Sequence, residues 1–522
     1  MDLKSIQKLE QKSGLSRGEA LRMGWVLLFI MGVMLFTHFN TADVPGRLML
    51  IVAAMIGGYM ALNIGANDVA NNVGPAVGSQ ALTLVGAIFI AGIFESAGAL
   101  IAGGDVVGTI KGGIINPAMI EDSAVFIWIM MAALLAGAVW LNFATAVGAP
   151  VSTTHSIVGG VMGAGIAAGG WNIVNWEQMI AIASSWIISP VLGGIIAAAF
   201  LLLIKHTITY QDDKIAAAKR MVPLLIALMI WSFTSYLIMK GLSKLWEVDF
   251  TVALGIGFLL AVILYFISKP LIIRAADKLE NDKQAINSLF TAPLIFAAAM
   301  LSFAHGANDV ANAVGPLAAI NDAIASGGIA NEAAIPLWVM MVGAIGIVLG
   351  LALFGPKLIR TVGSEITELD KMRAFSVAMA ASITVIMASQ LGLPVSSTHI
   401  AVGAIFGVGF LREYIKKSYD RMVDEIMEHH KESECEGVEI FLKDFQKATV
   451  AGKYSMLQTL KQENTATAFS KGERKSLKKV YRKELVKRSA LLRIAAAWVI
   501  TVPASAVLAA LIFYTLRGAL LP

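Results

Sequence analysis

Long apolar stretches separated by short polar ones recur from one end of the chain to the other. Most exceed the about 17 residues needed to cross a hydrocarbon core of roughly 30 Å. Leu48–Gly65, Leu84–Gly103, Ala124–Ala149, Met179–Ile204, Val222–Met239, Leu337–Leu353 and Leu491–Thr515 are of this kind. Val252–Ile267 and Ala292–Ser302 are shorter, as tilted, interrupted or re-entrant segments would be. The pattern predicts an all-α polytopic membrane protein with about 12–13 hydrophobic passages. Composition agrees, since 57% of the 522 residues are hydrophobic and only 15% are charged, too few for a soluble chain of this length. Glycine at 48 positions adds an expectation of closely packed or broken helices.

Two long motifs occur twice. Gly65-Ala66-Asn67-Asp68-Val69-Ala70-Asn71-Asn72-Val73-Gly74-Pro75 returns as Gly306-Ala307-Asn308-Asp309-Val310-Ala311-Asn312-Ala313-Val314-Gly315-Pro316. Pro150-Val151-Ser152-Thr153-Thr154-His155 returns as Pro394-Val395-Ser396-Ser397-Thr398-His399. A weaker echo pairs Trp186-Ile187-Ile188-Ser189-Pro190 with Trp498-Val499-Ile500-Thr501-Val502-Pro503. Matches in the same order at nearly matched spacing indicate duplication of one unit. The chain divides accordingly into residues 1–46 (tail and an extra helix), 47–205 (first repeat) and 206–289 (a linking hairpin, Met221–Ile267, with polar loops). Residues 290–411 and 490–517 form the second repeat, interrupted by a charged helical insertion at 412–489.

Charge orients these units. Lys and Arg gather in the N-terminal tail, in Lys205–Arg220, in Lys269–Lys283 and in Arg412–Arg488, which the positive-inside rule assigns to the cytoplasm. Met119–Ser123, Gly169–Gln178 and Asn321–Ala334 carry acids but no Lys or Arg and fall outside. The first repeat then enters from outside and the second from inside. The expectation is two inverted-topology repeats with discontinuous helices and re-entrant hairpins, a cytoplasmic N-terminus and an external C-terminus. Inverted repeats place paired half-sites near the bilayer midplane and support alternating access.

The motifs carry the chemistry. Asn67 and Asn71, like Asn308 and Asn312, are four apart and share a helical face. Asp68 and Asp309 stand in apolar surroundings without a Lys or Arg in either motif, so each carboxylate needs a proton, a partner or a cation. Pro150 and Pro394 interrupt apolar runs, and proline suits the first turn of a new helix. Ser152, Thr153 and Thr154, with Ser396, Ser397 and Thr398, would then line two helix starts, where free N–H groups and hydroxyls favour an oxyanion such as phosphate or sulfate. Two aspartates and a divalent anion cannot share an apolar site without cations, so Na⁺ or protons must enter with the anion. Phosphate at neutral pH keeps a proton to donate to an aspartate, whereas sulfate only accepts. Asn67, Asp68, Asn308, Asp309 and the six hydroxyl residues are the candidate anion ligands. Asp68, Asn71, Asn72, Asp309, Asn312 and the intramembrane Glu95 are the candidate cation ligands. For His155 and His399 a capping or packing role competes with a proton relay.

Other classes fit less well. One cysteine, Cys435, excludes a disulfide framework or cysteine metal cluster. The net charge of +5 sits in a few loops and is no nucleic-acid signal. Met1–Arg22 before the apolar Trp25–Phe36 reads as a retained signal-anchor rather than a cleaved signal peptide, because no clean small-residue cleavage site follows. Ser152 with His155 lacks the third member of a hydrolase triad. An intramembrane aspartyl protease would not need duplicated hydroxyl motifs, and a channel would not need a charge-balanced site. The expectation is a transporter and not an enzyme, with no cofactor beyond the coupling ion. Its partners are inorganic phosphate, Na⁺ or H⁺ and membrane lipids, and a homodimer is compatible with it.

These two motifs resemble the hallmarks of the PiT family of inorganic phosphate transporters, which contains the eukaryotic sodium-phosphate cotransporters. The resemblance covers both repeats and implies a central phosphate site flanked by sodium sites. Asp68, Asn71, Asp309 and Asn312 would serve phosphate and cations, and residues 152–154 and 396–398 would cradle phosphate. Glu95 matches an acidic position of the family, whereas the second acid usual in eukaryotic members is missing, with Ala378 in that region. The Asn-Asp form of the first motif is similar to the sodium-coupled branch, the proton-coupled bacterial branch carrying His-Asp. The chain is therefore expected to be a phosphate symporter of the cell membrane, a bacterial inner membrane by its lack of a processing signal, coupled to Na⁺. A proton-coupled phosphate symporter and a sulfate permease are the alternatives.

Overall fold

The computed structural model describes residues 17–42, 44–120, 122–241, 248–326, 335–364, 369–429 and 488–520. Most of the insertion expected at 412–489 lies outside the described residues, as does the start of the N-terminal tail. The described chain is almost wholly helical, with one isolated β-bridge between Ile115 and Val174.

An outlying helix α1 (Arg17–Asn40) precedes a long helix broken into α2 (Arg47–Asn67) and α3 (Val69–Gly78), then α4 (Leu84–Ala102). A π-type turn at Thr109–Gly113 leads to a helical hairpin of α5 (Ser123–Val147) and α6 (Thr153–Gly169), and α7 (Trp176–Ile204) closes the first copy. Helices α8 (Lys214–Gly241) and α9 (Phe250–Ala276) pair as the link. The second copy repeats the order: broken α10 (Thr291–Asp309) and α11 (Ala311–Ser326), α12 (Leu337–Ser364), a hairpin of α13 (Lys371–Gln390) and α14 (Ser397–His429), and α15 (Arg488–Leu520).

Among the described residues, 11 helical runs are long and apolar enough to cross a membrane. The second hairpin arms, α6 and α14, are not among them, and each broken helix counts as one run. Adding those two arms recovers the number of passages that the apolar pattern predicts.

The hairpin turns are set by local chemistry. α5 ends at Gly148, which takes the left-handed φ of 76°, and α13 is followed by Gly392 at φ 64°. Ala149 N–H then bonds Ala144 O at 2.9 Å, and Leu393 N–H bonds Ala388 O at 3.1 Å, so both turns cap the preceding helix in one way. After each turn a serine starts the next helix: Ser152 accepts from His155 N at 3.1 Å and Ser396 from His399 N at 3.2 Å.

The two tips meet. Thr154 donates to Val395 O at 2.9 Å, and the rings of His155 and His399 lie 4.3 Å apart. The hairpins open toward opposite ends: Asn116, near the start of α5, bonds Ile173 at the end of α6, whereas Met372 of α13 touches Thr209 just beyond α7. α7 itself, 29 residues and therefore about 44 Å long, joins those ends.

Close helix approaches repeat between the copies. A Cβ on Gly65 would lie 1.8 Å from Ile347 O, and one on Gly306 would lie 2.2 Å from Glu95 O. Gly98 meets Phe303 O and Gly350 meets Leu62 O in the same way, and Val362 sits over Gly74 as Ile110 sits over Gly315. Each first-copy helix thus packs on its counterpart's neighbour as the counterpart packs on its own, an arrangement compatible with inverted copies.

Candidate functional site

Both copies of the longer motif sit at a break. The helix is interrupted at Asp68 and again at Val310, next to Asp309. Seven residues after each aspartate comes an intrahelical proline, Pro75 or Pro316. Proline has no N–H, so the carbonyls four residues earlier, Asn71 O and Asn312 O, lose their helical donors. The motif therefore frees a backbone oxygen at the place where it supplies a carboxylate.

The breaks face the hairpin tips. Asp68 accepts hydrogen bonds from Thr153 at 2.7 Å and from Thr398 at 2.9 Å, one hydroxyl from each hairpin. Asp309 accepts from Ser397 at 2.9 Å. Asn71 donates to Thr398 at 2.8 Å, and Asn312 donates to Thr153 at 3.0 Å and to Thr154 at 3.2 Å. Each copy's asparagine thus reaches the other copy's hairpin. All these side chains are buried, and the side-chain oxygens of Asn71, Asn72 and Asn312 have no hydrogen-bond partner.

Asn67 and Asn71 do not act together, although they are four apart. Asn67 holds the first tip: it donates to Thr145 at 2.9 Å and Ala149 O at 3.2 Å, and accepts from Val151 N–H at 3.1 Å. Asn308 meets the Ser389 hydroxyl at 3.0 Å in the second copy. The break at the aspartate turns the first asparagine of each motif toward its own hairpin and the second toward the other one. Ser152 and Ser396 serve as helix caps within this cluster.

Glu95 belongs to a chain that reaches the centre. Asn72 donates to one Glu95 oxygen at 2.8 Å, and the other lies 2.6 Å from His305 Nδ1. His305 Nε2 is 2.9 Å from an Asp309 oxygen. Asp68, His305 and Asp309 each place a ligand atom within 4.8 Å of the others, and all three are buried. The mirrored packing of Gly65 and Gly306 makes Ile347 the counterpart of Glu95, Ile64 of His305 and Ala313 of Asn72. One half of the cluster is a continuous polar chain where the other is apolar.

Sequence reasoning did not single out His305. Its signal was present: an imidazole one residue before the second motif, where the first copy has Ile64. His155 and His399 are buried beside the tips, their rings 3.8 Å from Trp186 and 3.7 Å from Trp498, which places the weak third echo against the second motif.

Broken helices and paired hairpin tips around buried carboxylates, in a multi-pass apolar fold, form the architecture of a membrane transporter. A sequence model described as "Phosphate transporter family" matches residues 64–509, and this chain belongs to that family. A Helicobacter pylori protein named "Putative phosphate permease" is 54% identical over 527 residues, covering 99% of each chain. A Pyrococcus furiosus protein of the same descriptive name is 39% identical over 363 residues, covering 70% of this chain and 87% of the other. A solved structure described as "The sodium-dependent phosphate transporter" superposes with a TM-score of 0.74 at 31% identity, covering 91% of this chain and 100% of that one.

Proposed function

We propose that this chain imports inorganic phosphate across the cell membrane as a Na⁺-coupled symporter working by alternating access. The observation that carries the reading is the junction of both hairpin tips with both aspartates, through Thr153, Thr398 and Ser397. Oxygen is the ligand that Na⁺ prefers, and the cluster supplies carboxylates, free amide oxygens of Asn71, Asn72 and Asn312, and carbonyls released by the prolines. Phosphate takes the hydroxyls and the free N–H groups at the starts of α6 and α14. Na⁺ at Asp68, and at Asp309 with Glu95 behind it, offsets the repulsion that the dianion would meet there. The structural relative is described as sodium-dependent, which supports the choice of ion. The hairpins opening to opposite ends supply two inverted half-sites, the ends bearing Lys205 and Arg412 facing the cytoplasm.

The test is radiolabelled phosphate uptake into proteoliposomes with an inward Na⁺ gradient, an inward proton gradient or neither, and with sulfate as competitor. Accumulation under the Na⁺ gradient alone, indifferent to sulfate, is the expected result. Uptake driven by protons alone would shift the coupling to the carboxyl groups. Accumulation of labelled sulfate without phosphate would overturn the substrate, and non-saturating flux would mean a channel.

A further inference from the structure

Lys111 is the only lysine or arginine buried among the described residues, and it stands outside the central cluster. It lies in the π-type turn Thr109–Gly113 and pairs with Asp322 in the last turns of α11, both side chains being less than a tenth exposed. Two residues earlier, Thr109 donates to Gly392 O at the tip of the second hairpin, at 2.7 Å. Along α11, Asn312 is in the central cluster and Asp322 lies ten residues farther, about 15 Å toward the end of the helix. The ion pair therefore stands between the central cluster and the end of the molecule opposite Lys205, which the charge distribution assigns to the exterior.

The pair is not required by the fold. By the matched packing of Ile110 on Gly315 and Val362 on Gly74, the counterpart of Lys111 is Gly363 and that of Asp322 is Ala81. Neither can carry a charge, and the Gly363 carbonyl packs against Gly78, three residues before Ala81. A buried ion pair is a poor strut, since a well-packed apolar pair of similar size stabilises as well or better. Charged residues inside a membrane protein instead mark ion pathways, and π-type turns recur at functional sites.

We infer that Lys111 is a docking point for the phosphate anion on its way to the central site, with Asp322 holding the ammonium until phosphate arrives. The inference rests on phosphate being the transported anion. A dianion approaching the centre meets the carboxylates of Asp68, Asp309 and Glu95 beside the imidazole of His305, and Lys111 is the buried ammonium on that side. Phosphate replaces the Asp322 carboxylate with an oxyanion of the same chemistry, and its arrival releases the turn from α11.

Phosphate uptake kinetics in proteoliposomes test this. Lys111→Met is expected to raise the KM for phosphate about tenfold or more while leaving the maximal rate little changed, the loss of one charge-assisted contact. Asp322→Asn, which keeps the ammonium, is expected not to raise KM. The double variant Lys111→Met with Asp322→Leu separates docking from packing: KM stays high if Lys111 binds phosphate, and returns to the wild-type value if the pair is only structural. On one folded protein, Lys111→Cys in a Cys435→Ser background is treated from outside with aminoethyl methanethiosulfonate, which rebuilds an ammonium. Restored KM supports docking. Unchanged KM in Lys111→Met, or no restoration once mass spectrometry shows the thiol to be modified, overturns it. If the wild-type protein moves no phosphate, the functional reading itself fails; if it does and Lys111→Met is silent, only this inference fails.

Discussion

Thr398 donates its hydroxyl hydrogen bond to Asp68 at 2.9 Å, although the two residues lie 330 positions apart and in different copies of the repeat. Its oxygen in turn accepts from Asn71 at 2.8 Å, so one hydroxyl joins the carboxylate and the amide of the first copy to the hairpin of the second. Any movement of the second hairpin is felt at Asp68.

Thr398→Val removes that donor while keeping the side-chain shape. A buried carboxylate that loses one hydroxyl bond is weakened by about 1–3 kcal/mol. Phosphate uptake should fall at least tenfold, whereas Thr398→Ser should stay within a few-fold of wild type. Initial rates in proteoliposomes decide; loss in Ser with activity kept in Val would show that the methyl, not the hydroxyl, matters.

Asn72, Glu95, His305 and Asp309 form one chain, so their substitutions should not add. His305→Ile and Glu95→Ile each break the chain and leave one buried atom of the other member, Glu95 Oε2 or His305 Nδ1, without its partner. The double variant, which copies the apolar pair Ile64 and Ile347 of the other half, should be no less stable than the worse single variant. Thermal unfolding in detergent measures this. Additive losses would mean that the two side chains are independent.

Asn67→Ala should act on stability more than on ion preference. The amide satisfies Val151 N–H and Ala149 O at the first hairpin tip, and its loss leaves buried backbone groups unpaired at a cost of about 1–3 kcal/mol. The expected result is a lower Tm with the Na⁺ dependence of residual uptake unchanged. An altered cation preference at normal Tm would place Asn67 in the cation site instead.

Gly65→Ala should fail where Gly24→Ala is tolerated. A Cβ on Gly65 would lie 1.8 Å from the Ile347 carbonyl oxygen, which forces α2 away from α12, whereas Gly24 has nothing within 4 Å. Expression and monodispersity in detergent compare the two. A well-folded Gly65→Ala protein would show that these helices can separate at little cost.

Much of this architecture is legible along the chain. The apolar runs show the membrane passages, and Pro150 and Pro394 mark the two hairpin tips. Ser152 and Ser396 announce the helix starts that follow. These features depend on backbone conformation within a few residues. Asn67 shows the limit: four residues from Asn71 on a nominal helical face, it is separated from it by a break that sends the two side chains to different hairpins.

The sequence by itself determined that there are two copies of one unit, that apolar runs are interrupted at Pro150 and Pro394, and which residue types the repeated motifs carry. Each of these follows from local rules: helix capping, the missing proline N–H, and the cost of exposing polar backbone to lipid. Only the tertiary structure decided that Thr398 serves Asp68, that Asn312 crosses to Thr153, and that Glu95 is joined to Asp309 through His305. Those partners are brought together by the packing of helices far apart in the chain, and a hydrogen bond of about 3 Å depends on where the backbones come to rest, which no short stretch of sequence specifies.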